Sequence, residues 1–201
     1  EASPCYIYHS INAWEEGDEI VLIGCRVTNP FPPADPRDGA YAHMLANLRL
    51  DARLWAWRFN LKTGATKESQ LRDENTEFPS MNRESMGVRT RYAYNMSIVA
   101  ARTLLFDGIV KHDTESGRDE RYGFGPGRFG SEAPFAPRLN AQAEDDGYVL
   151  SFVHDENAGR SELLIFDARQ IPSGPVAQVR LPQRVPLGFH ATWVPERQLV
   201  S

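Results

Sequence analysis

Apolar, β-branched and aromatic residues fall in short runs along the whole chain, with Gly, Pro, Asn and Asp between them. That rhythm predicts strands joined by tight turns. Strands are expected over 6–9, 19–27, 54–61, 65–72, 91–99, 104–112, 147–155, 161–168, 176–181 and 190–194. F-N-L-K-T-G-A-T is expected to turn at Lys62-Thr63-Gly64, where glycine supplies the left-handed residue. The stretch from Tyr148 to Ala168 turns around Asn157-Ala158-Gly159 and is the strongest strand pair. Only 39–53 breaks the rhythm: Tyr41, Met44, Leu45 and Leu48 recur at helical spacing, which predicts one short amphipathic helix after a proline-rich loop. G-F-G-P-G-R-F-G at 123–130 reads as a second loop, without the Lys-Ser/Thr that closes a phosphate cradle.

The fold class is therefore all-β. Its strands suit a sandwich, a barrel or part of a β-propeller. A propeller blade takes roughly 40–50 residues, so this length supplies about three or four. Too few remain to close a ring, which leaves open sheet edges; a propeller reading makes these residues a portion of a longer product. The first residue is Glu, not Met, and the N-terminus is expected to have been lost, so the absence of a signal or transit peptide says little.

Composition narrows the partners. The 201 residues carry a formal net charge of −5, and no Lys/Arg cluster dominates any stretch, which argues against nucleic acid. No apolar run approaches the roughly 18 residues of a membrane span. Cys5 and Cys25 stand in no C-x-x-C spacing, so reduced, buried thiols are expected.

Five histidines are candidates for chemistry. His43, on the predicted helix, and His112 and His154, at strand ends, read as surface or hydrogen-bonded residues. His9 and His190 each sit among apolar residues, and each is either a core histidine or a metal ligand. Glu77, in T-E-F-P-S-M-N, and Glu132, in R-F-G-S-E-A-P-F, lie beside Phe and Pro. A carboxylate there is costly to bury unless paired. Metal-bound imidazoles donate their other N–H to such carboxylates, so two histidines and two glutamates make a coherent set. The competing reading gives each glutamate a backbone N–H to cap. Glu15, Glu16, Asp18 and Glu19 read as a solvated hairpin, and E-D-D-G at 144–147 as a plain turn.

Longer blocks run in a recognisable order: H-S-I-N-A-W-E-E, R-F-N-L-K-T-G, E-F-P-S-M-N-R-E-S-M-G-V-R-T-R-Y-A-Y, G-P-G-R-F-G-S-E-A-P-F-A-P-R, E-D-D-G-Y-V-L-S-F-V-H-D-E and L-P-Q-R-V-P-L-G-F-H. They cover nearly the whole chain, which resembles the C-terminal part of the carotenoid cleavage oxygenase family. It is most similar to the plant-type dioxygenases of the 9,10-cleaving branch. The resemblance implies a seven-bladed β-propeller, with 1–201 as the C-terminal portion of its one domain. It also implies a non-haem Fe(II) on the axis held by four histidines. His9 matches the third ligand and His190 the fourth; Glu77 and Glu132 match carboxylates behind them, and the first two histidines belong upstream. Leu187 departs from the family, whose members carry an aromatic before Gly-Phe-His.

The activity so implied is cleavage of a carotenoid or apocarotenoid double bond by dioxygen to two carbonyl products. No catalytic group is needed beyond the metal centre, and these residues alone are expected to be inactive. Iron(II) is redox-active, unlike zinc, and suits dioxygen chemistry. Phe78, Phe135, Phe189 and Trp193 flank the presumed centre and line a substrate passage or pack as ordinary core. Stilbene cleavage and polyene isomerisation are alternatives on the same iron site. A non-catalytic propeller, with both histidines in the core, is the alternative of another class, and an inert product of a truncated gene is a further one. The cytoplasm is the expected compartment, with the plastid as alternative; any peripheral membrane association would use parts outside this chain.

Overall fold

The computed structural model describes residues 1–199. Strand β1 (Tyr6–Glu16) reverses into β2 (Glu19–Val27) at Gly17, whose φ of 62° suits glycine. The acidic residues of this hairpin are solvated, as expected: Arg58 reaches Glu16 and Glu19, and Lys62 reaches Asp18. Strands β3 (Ala52–Asn60) and β4 (Thr66–Gln70) complete an antiparallel sheet in the order β1-β2-β3-β4. The β3–β4 turn uses Gly64 at φ 72°, where the sequence placed it.

A second meander follows, of β5 (Thr76–Ser80), β6 (Tyr92–Ile98), β7 (Phe106–Asp113) and β8 (Asp119–Gly123). A third comprises β10 (Phe135–Pro137), β11 (Gly147–Asp155), β12 (Arg160–Asp167) and β13 (Pro175–Arg180). Between them, β9 (Arg128–Gly130) pairs with both β7 and β11 and joins the two into one nine-stranded sheet. Four-stranded antiparallel meanders repeated along a chain are propeller blades, and the described residues hold three.

The middle meander carries the core. Tyr94 and Met96 of β6 and Ile109 of β7 are buried and packed with Phe106, Phe166, Val149 and Leu164, and Val110 is buried on the other face of β7. The outer strand β13 is exposed after its first residue. The three first strands, β1, β5 and β10, each stand at one edge of their meander. They come together: His9 of β1 meets Glu77 of β5, and Ser80 of β5 donates through Oγ to the Ala133 carbonyl just before β10.

Several expectations need correction. Residues 190–194 form no strand; prolines at 182, 186 and 195 bracket an irregular segment without a sheet partner. Strands β5, β8, β9 and β10 lay in stretches too short or too proline-marked to read, and β9 occupies the end of the expected 123–130 loop. The predicted helix shrinks to α1 (Ala42–Asn47) after a 3₁₀ turn at Pro36–Tyr41. It buries Ala42 and Ala46, while Tyr41 and Met44 are exposed. Cys25 is buried but Cys5 is exposed; both thiols are free.

Nor is E-D-D-G a plain turn. The Glu144 carboxylate accepts from Thr90 Oγ1 at 2.6 Å and from the Tyr92 N–H at 2.8 Å, and also from the Arg91 N–H. Asp145 pairs with the buried Lys111 at 2.9 Å, and Asp146 with Arg138 at 3.0 Å. The turn is a carboxylate clasp between the second and third meanders. Among the described residues no helix is long and apolar enough to cross a membrane.

Candidate metal centre

Strand β5 is short because of T-E-F-P-S. Pro79 has no N–H to give the ladder, and the pairing with β6 slips between Glu77 and Ser80. Within that bulge Phe78 takes a φ of 52°, a region bulky side chains avoid. The bulge aims Glu77 inward: its side chain is 0% exposed. A carboxylate so buried requires compensation. Oε2 accepts from the Phe78 N–H and faces His9 Nδ1 at 2.7 Å, while Oε1 finds no partner among the described residues.

His9 lies in an irregular part of β1, where the register to β2 shifts between Ile7 and Ser10. Its ring is 27% exposed. The hydrogen bond to Glu77 raises the imidazole above its ordinary pKa, against burial, which lowers it.

The second pair is looser. His190 lies in the irregular segment after β13, its ring 68% exposed, with Nδ1 3.4 Å from Glu132 Oε2. That oxygen also accepts from the Ala191 N–H at 2.7 Å, which fixes the segment against the start of the third meander. Both sequence readings of the glutamates therefore hold together: each accepts a backbone N–H and faces an imidazole. Within these residues His190 is mostly solvent-facing and belongs to no apolar core cluster.

The two imidazoles meet edge to face, with ring centroids 5.2 Å apart at 72°. Phe78 forms their floor, 4.8 Å from His9 and 5.4 Å from His190, backed by Phe106 at 5.0 Å and Phe189 at 5.6 Å. With Nδ1 turned to a carboxylate, Nε2 is the nitrogen left to bind. Two imidazoles on one ion, at metal–nitrogen distances of about 2.1 Å, place their centroids about 4.5–5.5 Å apart. The pair fits a shared metal ion, and neutral imidazole suits iron among others. No group of three or more His, Cys, Asp or Glu that could hold a metal gathers among the described residues, so the two imidazoles stand as a pair.

The remaining histidines stay apart. His112 is fully buried between Asp119, 3.0 Å from Nδ1, and Thr76; His154 is buried against Ser161 at 3.1 Å; His43 is exposed. Beside His190 opens a cleft of about 370 Å³ lined by Met81, Arg83, Phe135 and Trp193. Of the four aromatic candidates, Phe78 and Phe189 touch the histidines or each other. Phe135 is buried, stacked on Tyr94 at 5.6 Å, with an edge in the cleft, and Trp193 is a half-open wall. Arg83 and Thr192 were not singled out in the sequence. Arg83 could have been, as the first cation after Glu77 in the block E-F-P-S-M-N-R.

Phe78→Ala is expected to lower unfolding free energy by about 3–5 kcal/mol, the usual cost of deleting a buried aromatic. Denaturant titration reads it. A loss below about 1 kcal/mol would show that Phe78 is not the floor of the pair.

The family model described as retinal pigment epithelial membrane protein (RPE65) matches residues 1–195. A carotenoid 9,10(9′,10′)-cleavage dioxygenase of Crocus sativus is 42% identical over 99% of this chain, and one of Arabidopsis thaliana is 41% identical over the same share. The chain spans 38% of the length of each. Among solved structures, a mutant Synechocystis apocarotenoid oxygenase superposes with a TM-score of 0.82 at 28% identity, over 94% of this chain and 39% of that one. A cobalt-substituted form of that oxygenase gives 0.79 at 28% identity, over 91% and 38%. These likenesses identify the three meanders as blades of that propeller, and a metal is at home in its fold.

Proposed function

Because the chain belongs to the RPE65 family of carotenoid cleavage oxygenases, we propose that the whole protein is a non-haem Fe(II) dioxygenase. It cleaves a double bond of carotenoids or apocarotenoids, the 9,10 bond by analogy with the names of its relatives. The observation that carries this reading is the facing pair His9 and His190, each with Nδ1 turned to a glutamate, above the Phe78 ring. His9 and His190 would be two of the ligands, the others coming from sequence upstream of Glu1. Iron(II), when bound, supplies a redox-active centre for dioxygen.

The protein's own work follows from its residues. Glu77 and Glu132 fix the imidazole tautomers and make the rings better donors. Phe78 and Phe189 keep the floor of the site apolar. Phe135 and Trp193 wall the cleft in which a polyene would lie with one double bond near the ligands. A conjugated polyene offers no acidic proton and no leaving group, so general acid–base residues have no task. One C=C and one O₂ become two C=O groups, and the atoms balance. The cytoplasm is the proposed compartment, with the plastid as alternative, since relatives named chromoplastic or chloroplastic are 35–37% identical.

The test is incubation of the full-length, iron-loaded protein with a C40 carotenoid and an apocarotenal under ¹⁸O₂. Paired carbonyl products, each carrying label, are expected, and chelation should stop their formation. Intact polyene after many enzyme equivalents of time and iron would defeat the reading.

A further inference from the structure

The cleft beside His190 is lined mostly by apolar groups, yet it contains one cation, Arg83. Its other polar side chains each already have a partner. Ser80 Oγ is held by the Ala133 carbonyl, Glu132 Oε2 by the Ala191 N–H and His190, and Thr192 Oγ1 by Arg83 itself at 2.9 Å. A guanidinium carries five N–H donors, and the bond to Thr192 is the one that Arg83 makes among the described residues. That bond tethers the loop after β5 to the segment bearing His190 and holds the planar fork in place.

A second hollow of about 300 Å³ adjoins the first and shares Arg83, Phe135 and Trp193 with it. Arg83 thus stands where the two meet, and anything passing between them passes its unspent donors.

We propose that Arg83 is the specificity-determining residue of the cleft, selecting polyenes that end in a hydroxyl or carbonyl oxygen over pure hydrocarbons of the same length. The inference rests on the polyene-cleaving reading above. An oxygen acceptor takes the free guanidinium N–H groups. A hydrocarbon end strips water from the charge and returns nothing. The Thr192 tether pre-orients the fork, so little freedom is lost when the acceptor arrives.

Arg83→Met and Arg83→Lys in the full-length protein test this, with a hydroxylated and an unsubstituted polyene of equal length. Arg83→Met should raise the ratio of KM for the oxygenated substrate to KM for the hydrocarbon about 10- to 100-fold, the scale of a charge-assisted hydrogen bond. The ratio of kcat values should change far less, and Arg83→Lys should recover part of the discrimination. Binding to the metal-free protein, read by quenching of tryptophan fluorescence, should show the same change of ratio without turnover. If the wild type binds and cleaves both polyenes while Arg83→Met leaves the KM ratio where it was, the inference fails and the dioxygenase reading stands. If the wild type binds and cleaves neither, the dioxygenase reading fails and takes this one with it.

Discussion

His190→Ala in the full-length protein is expected to abolish iron binding or cut it severely while leaving the fold intact. The ring lies on an irregular segment, 3.4 Å from its carboxylate and outside the apolar clusters of the three blades, so its removal leaves their packing intact. The Ala191 N–H stays on Glu132 and keeps the segment in place. What is lost is a metal-binding nitrogen, for which water is a weak substitute. His43→Ala, on the exposed face of α1, is the control. Iron content and thermal unfolding, measured side by side, should separate the two: similar Tm, very different iron. Equal iron in both variants would remove His190 from the ligand set. His9→Ala should behave differently again. It strands Glu77, fully buried and with one oxygen already unpartnered. Breaking a buried pair from one side costs about 3–5 kcal/mol, so that variant should lose stability as well as iron.

Glu77→Gln is expected to lower iron affinity by about 10–100-fold, the usual scale for loss of a carboxylate behind a metal-bound histidine. The amide oxygen can still accept from His9 Nδ1, but it brings no charge to make the ring a better donor. Its NH₂ group would also lie buried where Oε1 now finds no partner. Glu132→Gln should act in the same direction and more weakly, because its imidazole contact is 3.4 Å against 2.7 Å and it is less buried. Competition with a graded chelator measures both. Wild-type affinity in Glu77→Gln would reduce the residue to a support for the Phe78 backbone.

Much of this architecture is local information. Strands β2 and β11 begin and end where the alternation of side chains says they should, since side-chain period and turn residues are properties of neighbouring positions. The turns at Gly64 and Gly159 follow for the same reason. His9, His190, Glu77 and Glu132 could be chosen as a set because imidazoles and carboxylates in apolar sequence need partners. Long ordered blocks extended that set to a family, and the family to a propeller.

Tertiary structure decided what neighbouring positions cannot carry. The stretch 190–194 looked like a strand, but no sheet edge is there to receive it, and His190 hangs on an irregular segment pinned by Glu132. The strand bearing Glu77 was invisible because Pro79 breaks its alternation, and the resulting bulge turns the carboxylate towards His9. E-D-D-G became a clasp because the second and third blades bring Thr90, Lys111 and Arg138 to one turn. That His9 and His190, near opposite ends of the chain, stand ring against ring depends on the first strand of each blade meeting at a common edge. Residue types set which groups can bind a metal; long-range packing sets which of them meet.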